Sequence, residues 1–116
     1  MNTGSISRRW ARALFTLGVE QNSLVVLVQD LRMLKEIWES SRELRLAMTD
    51  PAVHRDARIA VWEELVLRLG ISKTGRNFVM LALDRGRIGE IPAICSELST
   101  MVDEKENRLR GEVISA

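Results

Sequence analysis

The sequence predicts an all-α protein, a compact bundle of about six helices with short connections. Three observations lead there. Breakers are sparse, with two prolines and seven glycines in 116 residues. Between them, apolar residues recur at helical spacing. No strand signal precedes Gly111, and no internal repeat or low-complexity tract interrupts the pattern.

Composition sets the outer bounds. A chain of 116 residues, 46% hydrophobic and 28% charged, resembles an average soluble domain and can bury a core without staples. The net charge of +1 gives no overall bias toward nucleic acid or acidic lipid. A single cysteine rules out an internal disulfide framework and fits a reducing compartment. No apolar run approaches the roughly 20 residues that span a bilayer, so no direct membrane insertion is expected. The opening MNTGSISRRW lacks the apolar stretch of a secretory signal.

Each helix has its own signature. Ser5 or Ser7 can cap the first, whose Ile6, Trp10, Ala13, Leu14 and Leu17 follow helical spacing up to Glu20-Gln21-Asn22. Ser23 opens the second, striped by Leu24, Leu27, Val28, Leu31, Leu34 and Trp38. Ser40 and Glu43 have capping-box spacing and start a short third helix through Leu44, Ala47 and Met48, which Asp50-Pro51 ends. The fourth carries Ile59, Trp62, Leu65, Val66 and Leu69 and stops at Gly70. Ile91, Ile94, Cys95, Leu98, Met101 and Val102 stripe the sixth, with Pro92 in its first turn, where a missing N–H costs nothing.

The fifth helix is the segment most open to other readings. NFVMLALDRGRIGEIP, residues 77–92, places six apolar residues ahead of an acid, an arginine and a glycine. Ser72 at its start and Arg85-Gly86 at its end give it helical length and helical caps. LDRGR is most simply a helix stop; as a phosphate loop it is weak, with one glycine at a helix C-terminus, where the dipole repels anions.

Two helices carry surplus apolar surface. Wound as a helix, Phe78 to Leu83 are apolar all round. On the first helix, adding Ala11, Phe15 and Gly18 widens the non-polar arc to roughly 200°, against about 100° for an ordinary core stripe. A central helix with a wide core accounts for this. So does a groove between helices 1 and 5 that receives a partner's amphipathic helix.

No catalytic constellation is visible. His54, beside the DPAVHRD turn, reads as a surface or capping residue, and Cys95 as a buried, inert thiol. One Cys and one His give no zinc spacing. Glu63-Glu64 and Asp103-Glu104 read as solvated helix faces, and Trp10, Trp38 and Trp62 as core. Arg8, Arg9 and Arg12 of RRWAR read as the wet side of the first helix. No catalytic residue, cofactor or metal is expected.

With the helices placed, four stretches resemble one family. SRRWARALFTLGVEQNSL is similar to the opening helix of the delta subunit of bacterial F-type ATP synthase, itself similar to the mitochondrial oligomycin-sensitivity-conferring protein. Arg8, Trp10, Ala11, Arg12, Ala13, Leu14 and Phe15 fill the family's places, with Trp where Tyr is more usual. TDPAVHRDAR resembles the family's turn after its third helix. NFVMLALDRGRIGEIP resembles its fifth-helix signature with a Gly-Arg elbow. GEVISA resembles the link into a second, smaller domain.

The resemblance implies a non-catalytic stator role. Residues 1–110 would be the helical N-terminal domain, and 111–116 the start of a link to a C-terminal domain absent from this chain. The domain would hold the catalytic head by binding the N-terminal helix of an alpha subunit in the groove between helices 1 and 5. The b subunits would be reached only through the missing C-terminal domain. The implied location is cytoplasmic, peripheral on the inner face of the bacterial plasma membrane through the complex. For the groove, the expected contacts are Trp10 and Leu14 on one i, i+4 line with small Ala11 beside them, and Leu81 and Arg85 on another with Ala82 at its margin. Phe78 and Val79 would point inward. An RNA-binding antitermination factor of the NusB type also opens with an Arg-rich, Ala-containing helix and is the runner-up; the +1 charge argues against it, and no nucleic-acid partner is expected. An unrelated helical scaffold is the third alternative.

Overall fold

Helix ends in this chain are set by two serines and three left-handed residues. The computed structural model of the chain describes residues 3–110. They form α1 (Thr3–Glu20), α2 (Leu24–Ser40), α3 (Arg42–Thr49), α4 (Arg55–Leu69), α5 (Lys73–Asp84) and α6 (Ile91–Arg110), with a 3-10 turn at Ile88–Glu90 before α6. The described residues contain no strand. The expectations for Gly111–Ala116, a strand-like start and an interdomain link, lie outside the described residues.

Three helices end in the same way. Asn22 (φ 56°), Gly70 (φ 69°) and Gly86 (φ 69°) adopt the left-handed conformation just past α1, α4 and α5. In each case the next residue's N–H reaches back to a last-turn carbonyl: Ser23 to Gly18 at 2.8 Å, Ile71 to Val66 at 3.0 Å and Arg87 to Ala82 at 2.8 Å. This is the Schellman arrangement, which satisfies carbonyls the helix would otherwise leave without a partner. The end of α2 is closed differently, by Arg45 donating to the carbonyls of Trp38 and Glu39, each at 2.7 Å.

Two sequence expectations are corrected at the starts. Ser41, not Ser40, caps α3, its hydroxyl accepting from Leu44 N–H at 3.1 Å. The capping-box spacing from Ser40 to Glu43 was one residue out of register. Ser5 and Ser7 do not cap α1, because the helix already runs from Thr3. Ser7 is instead fully buried and donates to Glu90 Oε1 at 3.2 Å, tying α1 to the 3-10 turn. Ser72 caps α5 as expected, accepting from Gly75 N–H. At the DPA turn, Asp50 Oδ1 accepts from Ala52 N–H at 2.9 Å.

The predicted stripes supply the core. Leu27, Leu31 and Leu34 of α2 and Ile91, Ile94 and Leu98 of α6 are essentially inaccessible, and each is worth about 1.5–3 kcal/mol on burial. α1, α2 and α6 pack on one another, and α4 packs on α5. Trp62 of α4 is fully enclosed, with its indole N–H directed at Met48 Sδ. Trp38 is also core, but Trp10 is only half-buried, which corrects its reading as core. The α4–α5 pair is laced outside by the ion pairs Arg55–Asp84 and Arg76–Glu63; both are exposed and add little stability.

Candidate functional site: an apolar cleft between α1 and α5

α1 and α5 leave a cleft between them. Trp10, near the middle of α1, meets Phe78, midway along α5, ring centroids 5.9 Å apart and planes at 75°. At the other end Thr74, in the first turn of α5, donates its hydroxyl to Gln21 Oε1 at 3.1 Å. Between these two bridges lies a cavity of about 260 Å3, walled by Trp10, Ala13, Leu14 and Leu17 of α1 and by Asn77, Phe78 and Leu81 of α5. Leu81 is 45% exposed, an uncovered leucine beside a half-covered tryptophan. Apolar walls with one polar end suit an amphipathic helix better than a small charged ligand.

The six residues expected at this site separate into three groups. Trp10, Leu14 and Leu81 line the cleft together. Ala11, expected beside the Trp10–Leu14 line, and Ala82, expected at the margin, are fully enclosed and do not line the cavity. On α1, Ala11 falls on the side turned to the bundle interior. On α5, Ala82 falls beside Val79, which is also fully buried. Arg85 is exposed and lies one turn beyond Leu81, outside the cleft walls. Phe78 and Val79 point inward, at 5% and 0% exposure, although the edge of Phe78 also reaches the cleft.

Several wall residues went unnamed from sequence. Leu17 and Gln21 extend the Trp10–Leu14 line along α1, and Asn77 and Thr74 extend the Leu81 line back along α5. The i, i+3 and i+4 steps needed to find them were legible, but polar Gln21, Thr74 and Asn77 carry no apolar signal. Asp30 was missed altogether. It is a carboxylate only 2% exposed within the α2 stripe, receiving the Ser72 hydroxyl at 2.5 Å. An acid between Leu27 and Leu31 was the available sign.

Other surfaces differ in character. A cavity of about 560 Å3 between α2 and α6 is walled by Arg32, Lys35, Glu36 and Glu39 around Cys95. Burial pushes the Cys95 thiol above its ordinary value, and Lys35 and Arg32 only partly oppose this, so it stays a thiol at neutral pH. A third hollow, about 330 Å3 between α3 and α4, is walled by Ile37, Leu44, Ala47, Val61 and Leu65 among others. Among the described residues no His, Cys, Asp and Glu cluster could hold a metal ion, and no helix is long and apolar enough to cross a membrane. Arg8, Arg9 and Arg12 are exposed on the side of α1 away from the core.

Comparison with known proteins agrees with the four-stretch resemblance. Residues 6–116 match the family described as ATP synthase delta (OSCP) subunit. The ATP synthase subunit delta of an Anaeromyxobacter species is 37% identical over 116 residues, all of this chain and 65% of that protein. The subunit of Citrifermentans bemidjiense is 33% identical over 115 residues, 99% of this chain and 64% of its own length. That of Chlorobaculum parvum is 31% identical over 116 residues and is covered to 64%. The chain therefore spans just under two thirds of the length of these relatives. The antitermination reading finds no support in these matches and is set aside. An all-α bundle matched from residue 6 onward to this one family, and similar along its length to subunits of that name from several bacteria, belongs to the ATP synthase delta (OSCP) subunit family.

Proposed function

We propose that this domain is a non-catalytic part of the peripheral stalk of an F-type ATP synthase, and that it holds the catalytic head by binding the N-terminal helix of an alpha subunit in the α1/α5 cleft. The observation that carries the reading is the cleft itself. Half-buried Trp10 and exposed Leu81 keep apolar surface that the core does not use, and both face one hollow of about 260 Å3. Trp10, Leu14, Phe78 and Leu81 would supply the apolar contact, and Arg85 would meet the partner at the end of the cleft. Ala11 and Ala82 would act beneath it, their small side chains letting the walls sit close to the bundle. Binding of b subunits would fall to a second domain, and the domain would reach the inner face of the bacterial plasma membrane only through the complex.

Leu81→Asp tests this reading. With 45% of Leu81 exposed, the aspartate can stay solvated in the free domain, so the melting temperature should change little. Under a docked helix the charge would be buried without a partner, at a cost on the order of 3 kcal/mol in binding. The expected result is a normal melt and loss of affinity for a peptide carrying the alpha N-terminal helix. Full affinity in a folded Leu81→Asp protein would overturn the assignment.

A further inference from the structure

The two walls of the cleft belong to different packing groups. α1 packs chiefly with α2 and α6, whereas α5 packs chiefly with α4 and meets the three-helix group through α2 and the 3-10 turn. The width of the cleft therefore depends on what fixes α5 against the three-helix group. At the α5 N-terminus the exposed Thr74–Gln21 hydrogen bond reaches α1 directly, and the buried tie is Asp30 of α2. Its carboxylate is 2% exposed and receives two hydrogen bonds from Ser72, the backbone N–H at 3.2 Å and the hydroxyl at 2.5 Å. The same hydroxyl accepts from Gly75 N–H at 3.2 Å. Asp30, the cap of α5 and its first turn thus form one continuous set of hydrogen bonds.

The approach is tight. A Cβ on Gly75 would stand 2.6 Å from Asp30 Oδ2 and 2.7 Å from Ile71 Cγ2, so any side chain there forces Asp30, Ile71 or α5 itself to shift. An apolar residue at position 30 would also cover α5, as Leu27 and Leu34 cover their neighbours. A buried carboxylate is expensive unless hydrogen-bonded, and here it fixes Ser72 to within the tolerance of a hydrogen bond. It also faces the positive end of the α5 dipole.

We propose that Asp30 is a positioning residue for the cleft: acting through Ser72, and with Gly75 kept bare, it holds the N-terminal half of α5 at the distance from α1 that a partner helix requires. The proposal rests on the reading of the cleft as a helix site.

Two measurements on the 116-residue chain test it, both at a temperature where every variant is folded by circular dichroism. The first is the distance between spin labels at Thr16→Cys on α1 and Lys73→Cys on α5, in a Cys95→Ala background, without any partner. The second is the affinity for a peptide carrying the alpha N-terminal helix. Asp30→Asn, which leaves one acceptor oxygen where two serve now, and Gly75→Ala, which wedges α5 away, should both lengthen or broaden the distance. Both should weaken binding about tenfold, because a gap of about an ångström along one wall forfeits much of the dispersion contact there. A variant that merely loses stability would move neither readout below its melting temperature. Should Asp30→Asn fail to fold, Ser72→Ala removes a single hydroxyl from the same set and is read in the same way. Unchanged distances and unchanged affinity in folded variants would overturn the proposal. Altered distances with a parent protein that binds no peptide would support Asp30 as the spacer and sink the helix-binding reading instead.

Discussion

Trp10 of α1 and Phe78 of α5 meet edge to face, 5.9 Å between ring centroids, across the seam where the two helices part. Phe78 is 5% exposed and anchored in the core, while Trp10 is half-buried and keeps one side open to solvent. Pairs of this geometry add about 0.5–1.5 kcal/mol beyond area burial, so the contact closes one end of the cleft firmly while leaving indole surface for a ligand.

That asymmetry gives an optical prediction. A helix seated in the cleft would remove Trp10 from water, shifting tryptophan emission to shorter wavelength during titration with the alpha peptide. Trp38 and Trp62 are already enclosed and should not respond. Trp10→Phe should keep the fold and lose the shift. A shift that persists in Trp10→Phe would place the peptide elsewhere.

Gly86 gives a prediction about folding. It sits at φ 69° with open space where a Cβ would stand, so any penalty for substitution comes from the backbone alone. Gly86→Ala should cost about 1–2 kcal/mol and Gly86→Val more, as β-branching adds crowding. Gly86→Asn should be milder, since Asn22 already holds φ 56° at the matching position after α1. Thermal melts check the ranking; equal melting temperatures for all three would contradict it.

Cys95 predicts a pH dependence. Burial raises its pKa above 9.0 in the folded protein, while the unfolded thiol titrates near that ordinary value. The folded state therefore holds the proton more tightly. Its contribution is fully present below 9.0 and is lost as pH rises from there through the folded pKa. Urea unfolding on either side of 9.0 should show the decline, and Cys95→Ala should lack that component. Alkylation of the native thiol should be slow at neutral pH; rapid labelling would contradict its enclosure.

Salt separates an apolar cleft from a phosphate-binding surface. Affinity for the alpha peptide should change little between low and moderate ionic strength. Neutralising six to ten phosphates would instead lose about 10^3–10^5 in affinity between about 50 and 200 mM salt. A steep slope in the peptide titration would count against an apolar interface.

How much of this was legible in the sequence depends on range. The helices and their stripes were readable because i, i+4 periodicity and caps such as Ser72, Gly70 and Gly86 are local signals. The start of α3 slipped by one residue because adjacent Ser40 and Ser41 offer the same chemistry, and only the backbone at Ser41 chooses between them. Ser7 and Asp30 were misplaced or missed because their partners, Glu90 and Ser72, are distant in sequence. At the cleft, surplus apolar surface pointed to α1 and α5, and residues of both helices line one cavity. That surplus could not tell Leu81, which faces out, from Ala82, which the core encloses, because both are apolar and only packing distinguishes them.

The most direct test of the helix-binding reading is a 15N NMR titration of the 116-residue chain with the alpha N-terminal peptide. The prediction is a saturable set of shifts confined to Trp10, Ala13, Leu14, Leu17, Asn77, Phe78, Leu81 and Arg85 and their immediate neighbours, including the Trp10 indole N–H. Shifts centred instead on Val61 and Leu65 in the α3–α4 hollow, or no shifts at peptide concentrations well above those of the protein, would contradict it.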